Sequence, residues 1–439
     1  MKKLTVALIA LLVGNLAQAQ QILTLKDAVN FALENKAEAI KARLDVKNSE
    51  FMIDEVRASA LPQISANGGL TYNAILQETA LDFGGQTQII KMGRPWQSTA
   101  SLSLNQQIFN QAVFTGLKAA KSTREFYQIN AKLTDEQVIE KVASTYYELY
   151  KTKSQIETLD ITIENTTRVR DVIQSLYNSG LAKKIDLDRM NVSLNNVISG
   201  KQQLVNVLEL QENSLKYLIG MDIKNEIELP ENTFEITSVA FAENVNTGLN
   251  RTEIALLEKQ GELLELNLKA TKAQGYPTLG LNANYGYLGI GEKMPWFQSY
   301  PTAYWSDYAS IGLNLSIPIF NGGVNRARIK QAKVDIERFN ADVNDAKLGL
   351  NLEFENAKAQ ITNSLITLNT QKENVQLAKQ VLENVENNYK NGLATLTDLL
   401  EAETSYSDAQ NNQTNALLDY KLAEVQLIKA KGELDTLTK

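Results

Sequence analysis

Two pairs of short segments in the chain alternate strictly between apolar and polar positions. In the first segment Ile64 and Leu70 occupy even positions, whereas the odd positions hold polar residues or glycine. A period of two is typical of a strand with one apolar and one polar face. A length of about 10–12 residues suits a tilted strand that crosses a bilayer. The predicted strands are 63–72, 98–109, 278–288 and 308–319.

Most of the remaining chain has a helical period. Across 187–218 and again across 399–430, seam positions recur at spacings of three and four residues, which is a heptad pattern. The stretches before Gly180 and Gly392 contain no proline, and helices of 60–70 residues would be about 90–105 Å long. An ordinary helical bundle shares the heptads but seldom needs helices of this length. We therefore predict two long helical hairpins, 110–220 and 320–436, that reverse at a Gly-Leu-Ala sequence.

Three internal matches show that the chain is a tandem repeat. They lie at separations of 211 to 215 residues, and the longest match has six identical residues among eleven. The matched segments are 177–187 with 389–399, 108–110 with 319–321, and 61–72 with 276–287. Because all three matches have nearly the same separation, they indicate two copies of one unit. We predict repeat 1 at 20–220 and repeat 2 at 221–439, the latter beginning with a linker and short helices.

The N-terminal segment has the features of a signal peptide. Lys2 and Lys3 precede a short apolar run, and Ala17-Gln18-Ala19 follows it. This order predicts cleavage after Ala19, so that residues 1–19 would be removed during export. A membrane anchor is the alternative, but it needs roughly 20 apolar residues.

Composition excludes most enzyme classes. Among 439 residues there are no cysteines and no histidines, and the formal net charge is −7. Disulfides, Cys/His zinc sites and nucleophiles activated by histidine are therefore excluded, and the acidic balance argues against nucleic acid as a partner. Glycosidases that use paired carboxylates are not excluded by this composition, but the acidic residues here are spread along helical faces. We predict no catalytic residues, no cofactor and no metal site.

Aromatic residues favour a membrane position for the strands. Trp96, Trp296 and Trp305 are predicted in the connections between paired strands, where aromatic side chains suit a membrane interface. Packing among loops, or a soluble sandwich with the same alternation, is the alternative. Four strands cannot close a barrel alone, so a membrane form requires several chains.

Taken together, the chain resembles the TolC-like outer-membrane efflux protein (outer membrane factor) family. The resemblance rests on the segments 25–29 and 32–33, on Pro62 and Pro277 before strands, and on the paired Gly-Leu-Ala…Asp-Leu sequences. It implies a mainly α fold with a membrane β-barrel part. In a homotrimer, four strands per chain would make one twelve-stranded barrel, and the long hairpins would form a periplasmic tunnel. The implied location is the outer membrane of a Gram-negative bacterium, in contact with its lipid.

The resemblance also suggests roles for particular residues. Partners would be a periplasmic adaptor (membrane fusion protein) and an inner-membrane pump, contacted by the exposed hairpin tips. Tyr389 and Asp186 match positions that latch the resting entrance, whereas Ala394 replaces an arginine of the family's second latch. Asp398 and Glu401 share a helix face and would form an acidic ring at the entrance. The predicted tip contacts are Gly180, Leu181, Gly392 and Leu393.

Each of these residues also has a simpler interpretation. The glycines would permit the turns, Tyr389 would be a heptad core residue, and the acids would form a solvated stripe. For the whole chain we expect an outer-membrane outlet that exports small molecules or proteins, with polar strand residues lining the lumen. A structural trimeric stalk or surface adhesin without transport is the alternative.

Overall fold

The computed structural model describes residues 21–230 and 251–438 of the chain. The predicted signal peptide and much of the predicted linker between the repeats lie outside the described residues. The helices are α1 (Leu25–Asn35), α2 (Ala37–Ala58), α3 (Gln111–Asn178), α4 (Lys184–Ile219), α5 (Thr252–Ala273), α6 (Val324–Lys390) and α7 (Leu396–Lys431). The strands are β1 (Gln21–Ile22), β2 (Gln63–Tyr72), β3 (Glu78–Phe83), β4 (Gln86–Lys91), β5 (Trp96–Phe109), β6 (Ile227–Glu228), β7 (Thr278–Gly291) and β8 (Ala303–Ser316). Short 3-10 turns occupy Pro295–Phe297 and Leu434–Thr438.

Four antiparallel strands form the main sheet in the order β2-β5-β7-β8. Ile64 lies opposite Leu104, and Ala283 lies opposite both Leu104 and Ile311. Because residues directly opposite one another share a face, this register gathers the apolar positions of all four strands on one side. The predicted fold class, long helical hairpins with four strands, is confirmed.

The ends of the strands differ from the predicted ones. Trp96 and Trp305 were predicted in connections, but they lie inside β5 and β8. Aromatic side chains are favoured in strands because they pack on cross-strand neighbours, and the ring of Trp96 lies 4.9 Å from that of Tyr72. Only Trp296 of the three lies in a connection. The last strand ends at Ser316 rather than at residue 319, since Pro318 has no N–H for the ladder.

A hairpin between β2 and β5 was missed in the sequence. β3 and β4 pair in an antiparallel register around the two-residue turn Gly84-Gly85, and both glycines have positive φ, 60° and 87°. A two-residue turn with both φ values positive is of type I′, which suits glycine. The adjacent glycines between two alternating segments were the signal for this hairpin.

The described chain divides into two compact units, and both repeats contribute to each. One unit comprises Asp45–Tyr127 and Leu257–Asp342, and the remaining described residues form the other. The first contains the main sheet, in which β5 of repeat 1 pairs with β7 of repeat 2. The repeats are therefore interleaved in space, although they follow each other along the chain.

The two hairpins are nearly equal in length. The first joins α3 (68 residues) to α4 (36 residues), and the second joins α6 (67 residues) to α7 (36 residues). Eight of the buried residues of α7 lie on the predicted heptad seam, namely Leu399, Ala402, Ala409, Ala416, Tyr420, Ala423, Leu427 and Ala430. Leu418 and Val425 are buried off the seam, in a separate cluster. Part of this seam packs on Phe354, Ala357, Ile361 and Leu368 of α6. The small alanine side chains allow the two helices to approach closely.

An ion network around the buried Arg251 connects the start of α5 to three other helices. The guanidinium of Arg251, which is 2% exposed, donates to Glu253 and to Glu353, each at 2.6 Å. Lys429 of α7 lies 3.1 Å from Glu353 of α6 and 3.1 Å from Glu140 of α3. Burying a charge is costly unless it is paired, so Arg251 keeps its place through these carboxylates.

We expect Arg251→Met to lower the free energy of unfolding by about 2–3 kcal/mol, because Glu253 would keep a half-buried charge without its partner. The matched control is Lys269→Met within α5, where Nζ of Lys269 lies 4.0 Å from the Glu265 carboxylate and both side chains are 63% exposed. That change should cost less than about 0.5 kcal/mol. Circular dichroism during denaturation in detergent measures both, and equal losses would contradict the assigned role.

Candidate functional site

One face of the main sheet carries small, uncharged polar side chains. Two adjacent rows cross all four strands: Ser65, Ser103, Asn284 and Ser310, then Gln63, Asn105, Asn282 and Gly312. Toward the other end Leu288, Ile290, Tyr304 and Tyr308 join this face. Within β2, β5, β7 and β8 the one charged residue is Asp307, which lies opposite Tyr287 on the other face. A neutral polar surface of this kind can be hydrated without favouring either sign of charge.

The opposite face is apolar and exposed. Ile64, Leu313 and Ile311 are 70%, 67% and 78% exposed, although they belong to regular strands. Contiguous exposed apolar surface of this kind marks a membrane or protein contact. In addition, β2 and β8 are edge strands with one hydrogen-bonded neighbour each in the described chain. Both the face and the two edges therefore require a partner.

Both helical hairpins reverse through the same backbone motif. Gly180 has a φ of 75°, its N–H bonds to the carbonyl of Tyr177 at 2.9 Å, and the N–H of Leu181 bonds to the carbonyl of Leu176 at 2.8 Å. Gly392 has a φ of 73°, and the N–H groups of Gly392 and Leu393 make the equivalent bonds to carbonyls at the end of α6. This is the Schellman motif, whose left-handed residue is usually glycine. The turn geometry by itself accounts for both glycines.

The leucines that follow these glycines point into solvent. Leu181 is 77% exposed and Leu393 is 79% exposed. The Schellman motif often buries the residue after its glycine against the helix, but neither leucine is used in that way here. Each tip therefore presents an apolar side chain that the chain's own packing does not need.

Asp398 has a structural partner that the sequence analysis missed. Its carboxylate accepts from the backbone N–H of Thr395 at 2.8 Å and from the Thr395 hydroxyl at 2.7 Å. The N–H of Asp398 donates back to that hydroxyl, which completes a capping box. The bond from the Thr395 N–H, followed by that from its hydroxyl, lowers the pKa of Asp398. The spacing Thr395-x-x-Asp398 was the signal.

Neither Glu401, the other predicted acid, nor the tip of the first hairpin has a capping box like that of Asp398. Glu401 is exposed on the next turn of α7. In the first hairpin Lys183 precedes α4, and its side chain makes no capping bond. The two tips thus share a backbone motif but differ in how their second helix begins.

Tyr389 and Asp186 lie near each other but are not joined. Burial raises the pKa of the Tyr389 phenol, and the nearby charge of Asp186 raises it further. The ring packs on a cluster that includes Leu187 and Leu396. Over the described parts of both hairpins, no hydrogen bond links the phenol to Asp186. The structure therefore places the two groups together without forming the predicted latch.

The part of the chain that the structure describes offers neither a metal site nor a membrane-spanning helix. In residues 21–230 and 251–438, no group of three or more acidic side chains is arranged to hold a metal ion. No helix in the described chain has the length and apolar character needed to cross a membrane.

Comparison with known proteins identifies the family. The family model described as "Outer membrane efflux protein" matches residues 28–221 and 247–433. The chain belongs to this family.

Individual outer-membrane and secretion proteins align over almost the full chain. "Outer membrane protein TolC" of Escherichia coli is 22% identical, with 99% of this chain and 87% of that protein covered. "Alkaline protease secretion protein AprF" of Pseudomonas aeruginosa is 23% identical, with 94% and 85% covered. The crystal structure of VceC from Vibrio cholerae has the same fold, with a TM-score of 0.74 at 20% identity and coverage of 93% and 96%.

Family membership decides between the alternatives left by the sequence. The chain is an outer-membrane efflux channel with a periplasmic tunnel, and it is not an enzyme. Membership implies a trimer in a tripartite export system. The stalk, the adhesin and the glycosidase are accordingly set aside.

The capping box leads to a stability prediction. We expect Thr395→Ala to destabilise the first turn of α7 by about 1 kcal/mol, so that the amide of Asp398 exchanges roughly fivefold faster. The contribution of Asp398 should be complete above its ordinary pKa of 3.8 and should disappear as the pH falls through its lowered value. Thr404→Ala is the control, because that hydroxyl bonds only within α7, to the carbonyl of Leu400. Hydrogen exchange that is equally slow in both variants would show that the cap contributes nothing.

Proposed function

We propose that three copies of this chain close one twelve-stranded barrel whose inner wall is the neutral polar face of the main sheet. The observation that carries the proposal is the register, which segregates apolar and polar residues across all four strands. The edges β2 and β8 of successive copies would pair, which leaves the main sheet without an unpaired edge. The exposed apolar face would then contact lipid, as in other outer-membrane barrels.

The wall suits a conduit for varied solutes. Serine, asparagine and glutamine side chains hydrate easily and present no charge to a passing molecule. A relative is named for the secretion of a protease, which supports proteins as well as small molecules among the exported solutes. Energy for export would come from the inner-membrane pump, with a periplasmic adaptor between that pump and this chain.

The hairpin tips are the proposed adaptor contact. Leu181 and Leu393 are exposed and occupy equivalent positions after the two turn glycines. Burying an exposed leucine contributes about 2 kcal/mol per side chain, so the pair offers a strong contact for an apolar groove. Gly180 and Gly392 would contribute by setting the position of the leucines.

We expect Leu181→Ser combined with Leu393→Ser to weaken adaptor binding at least tenfold and to abolish export, without loss of the trimer. Leu181→Met with Leu393→Met is the matched control, because it retains apolar surface at both tips. Co-purification of adaptor and channel, with native electrophoresis for the trimer, measures the outcome. Undiminished co-purification of the serine variant would exclude these leucines as the contact.

Asp398 and Glu401 are the proposed acidic ring. The capping bonds lower the pKa of Asp398, so in the single chain its carboxylate is charged at neutral pH. Around a threefold axis the two residues would gather six carboxylates at one opening. Such a ring would attract cations and slow anions, and the like charges would raise one another's pKa.

Recording from planar bilayers tests both the conduit and the ring. We expect open channels that are selective for cations. A trivalent cation added from the periplasmic side should block them. Asp398→Asn with Glu401→Gln should reduce that block at least tenfold. Thr395→Ala is the control, since it breaks the cap and leaves both charges in place. Equal block in all three proteins would exclude the ring, whereas the absence of any conductance would exclude the conduit.

Tyr389 and Asp186 are proposed to form a latch when the trimer is at rest. The two groups already lie close enough for the charge of Asp186 to raise the pKa of the phenol. In the resting trimer the hydroxyl would donate to the carboxylate, which is a charge-assisted bond. Ala394 offers no second latch of this kind, so the resting entrance would depend more heavily on this pair.

A further inference from the structure

A cavity of about 280 Å³ lies among three helices of the unit that contains the tips. Part of its wall is apolar, with Ile161 from α3, Leu382 from α6 and Leu399 from α7. Glu403 of α7 also lines it. The carboxylate therefore lies among packed helices rather than on an outer helical face.

Glu403 has no compensating partner. Among the described residues it makes no hydrogen bond and no ion pair. Desolvation by burial, followed by the charge of Glu386 on α6, raises the pKa of Glu403 to about 7. An unpartnered carboxylate in such a place favours its neutral form.

The other charged groups that line the cavity have oppositely charged neighbours on their own helices. On α3, Arg168 bonds to Glu164 at 3.1 Å, and on α6 Lys390 bonds to Glu386 at 2.7 Å. Lys379 lies 4.0 Å from Glu383, also on α6. On α7 the hydroxyl of Tyr406 accepts from Gln410 at 3.2 Å. Arg168 and Lys379 line the cavity, but neither forms an ion pair with Glu403.

We propose that Glu403 makes the packing of α7 against α3 and α6 depend on protons, with tight packing when the carboxyl is neutral and loosened packing when it ionises. The geometry explains the direction. Ionisation places a negative charge beside Glu386 in a partly apolar cavity, and separation of the helices would admit more water to relieve that repulsion. The proposal concerns helix packing and does not depend on what the channel transports.

The sign of the pH effect follows from linkage. The pKa of Glu403 in the folded chain, about 7, is above the ordinary value of 4.5. Its favourable contribution is therefore complete below pH 4.5 and is lost as the pH rises through about 7. Acidification within the neutral range should tighten this region, and alkali should loosen it.

Hydrogen exchange of the full-length protein in detergent tests the proposal. Exchange in peptides covering 399–409 is compared between wild type and Glu403→Gln at each pH, so that the intrinsic pH dependence of exchange cancels. We expect the ratio of wild-type to variant rates to rise at least threefold between pH 6 and 8, with a midpoint near 7. Asp408→Asn, which removes an exposed acid from the same helix, should behave as wild type. A ratio that is constant with pH would overturn the proposal.

A second variant keeps the test decisive if Glu403→Gln folds poorly. Glu386→Gln removes the like charge and leaves Glu403 in place, so the midpoint of the wild-type transition should move to lower pH. The reference in that case is wild-type exchange after correction for intrinsic rates. A transition whose midpoint stays the same in Glu386→Gln would overturn the proposed coupling between these two carboxylates.

Discussion

β5 and β7 pair along nearly their whole length, from Trp96 opposite Gly291 to Phe109 opposite Leu279. This pairing joins repeat 1 to repeat 2, and without it each repeat would hold only a two-stranded hairpin, which is marginal in water. Because the side-chain period of a strand is two, the register of this one pair also decides which residues of all four strands share a face. The neutral polar wall, the apolar face and the two unpaired edges all follow from it.

Duplication supplied the architecture, and later divergence supplied the differences. Gly180 and Gly392 make the same turn with almost the same φ, because a helix that ends in a Schellman motif needs a residue in the left-handed region. The side chains beyond the turns are not equivalent, since Thr395 caps α7 whereas Lys183 makes no capping bond. A repeated backbone therefore carries two tips of different chemistry.

Two carboxylates on α7 show how strongly the surroundings determine charge. Asp398 is at the start of the helix, where hydrogen bonds from Thr395 lower its pKa. Glu403 faces a cavity without a partner, and burial beside Glu386 raises its pKa to about 7. One acid stays ionised at neutral pH and the other titrates there, although they lie five residues apart in the sequence. Different environments for neighbouring acids are what allow one helix to provide both a fixed and a variable charge.

The sequence alone determined the fold class, the repeat and the seams of the long helices, because each depends on a local period or on a match between distant segments. Gly180 and Gly392 were recognisable as turns for the same reason. The capping box at Thr395 and the hairpin at Gly84-Gly85 also have local signals in the sequence, namely the spacing Thr-x-x-Asp and the adjacent glycines. The tertiary structure decided where Trp96 and Trp305 lie, since the end of a strand depends on the partner strand. It also decided the surroundings of Glu403, because burial and the position of Glu386 arise only when helices far apart in the sequence pack together.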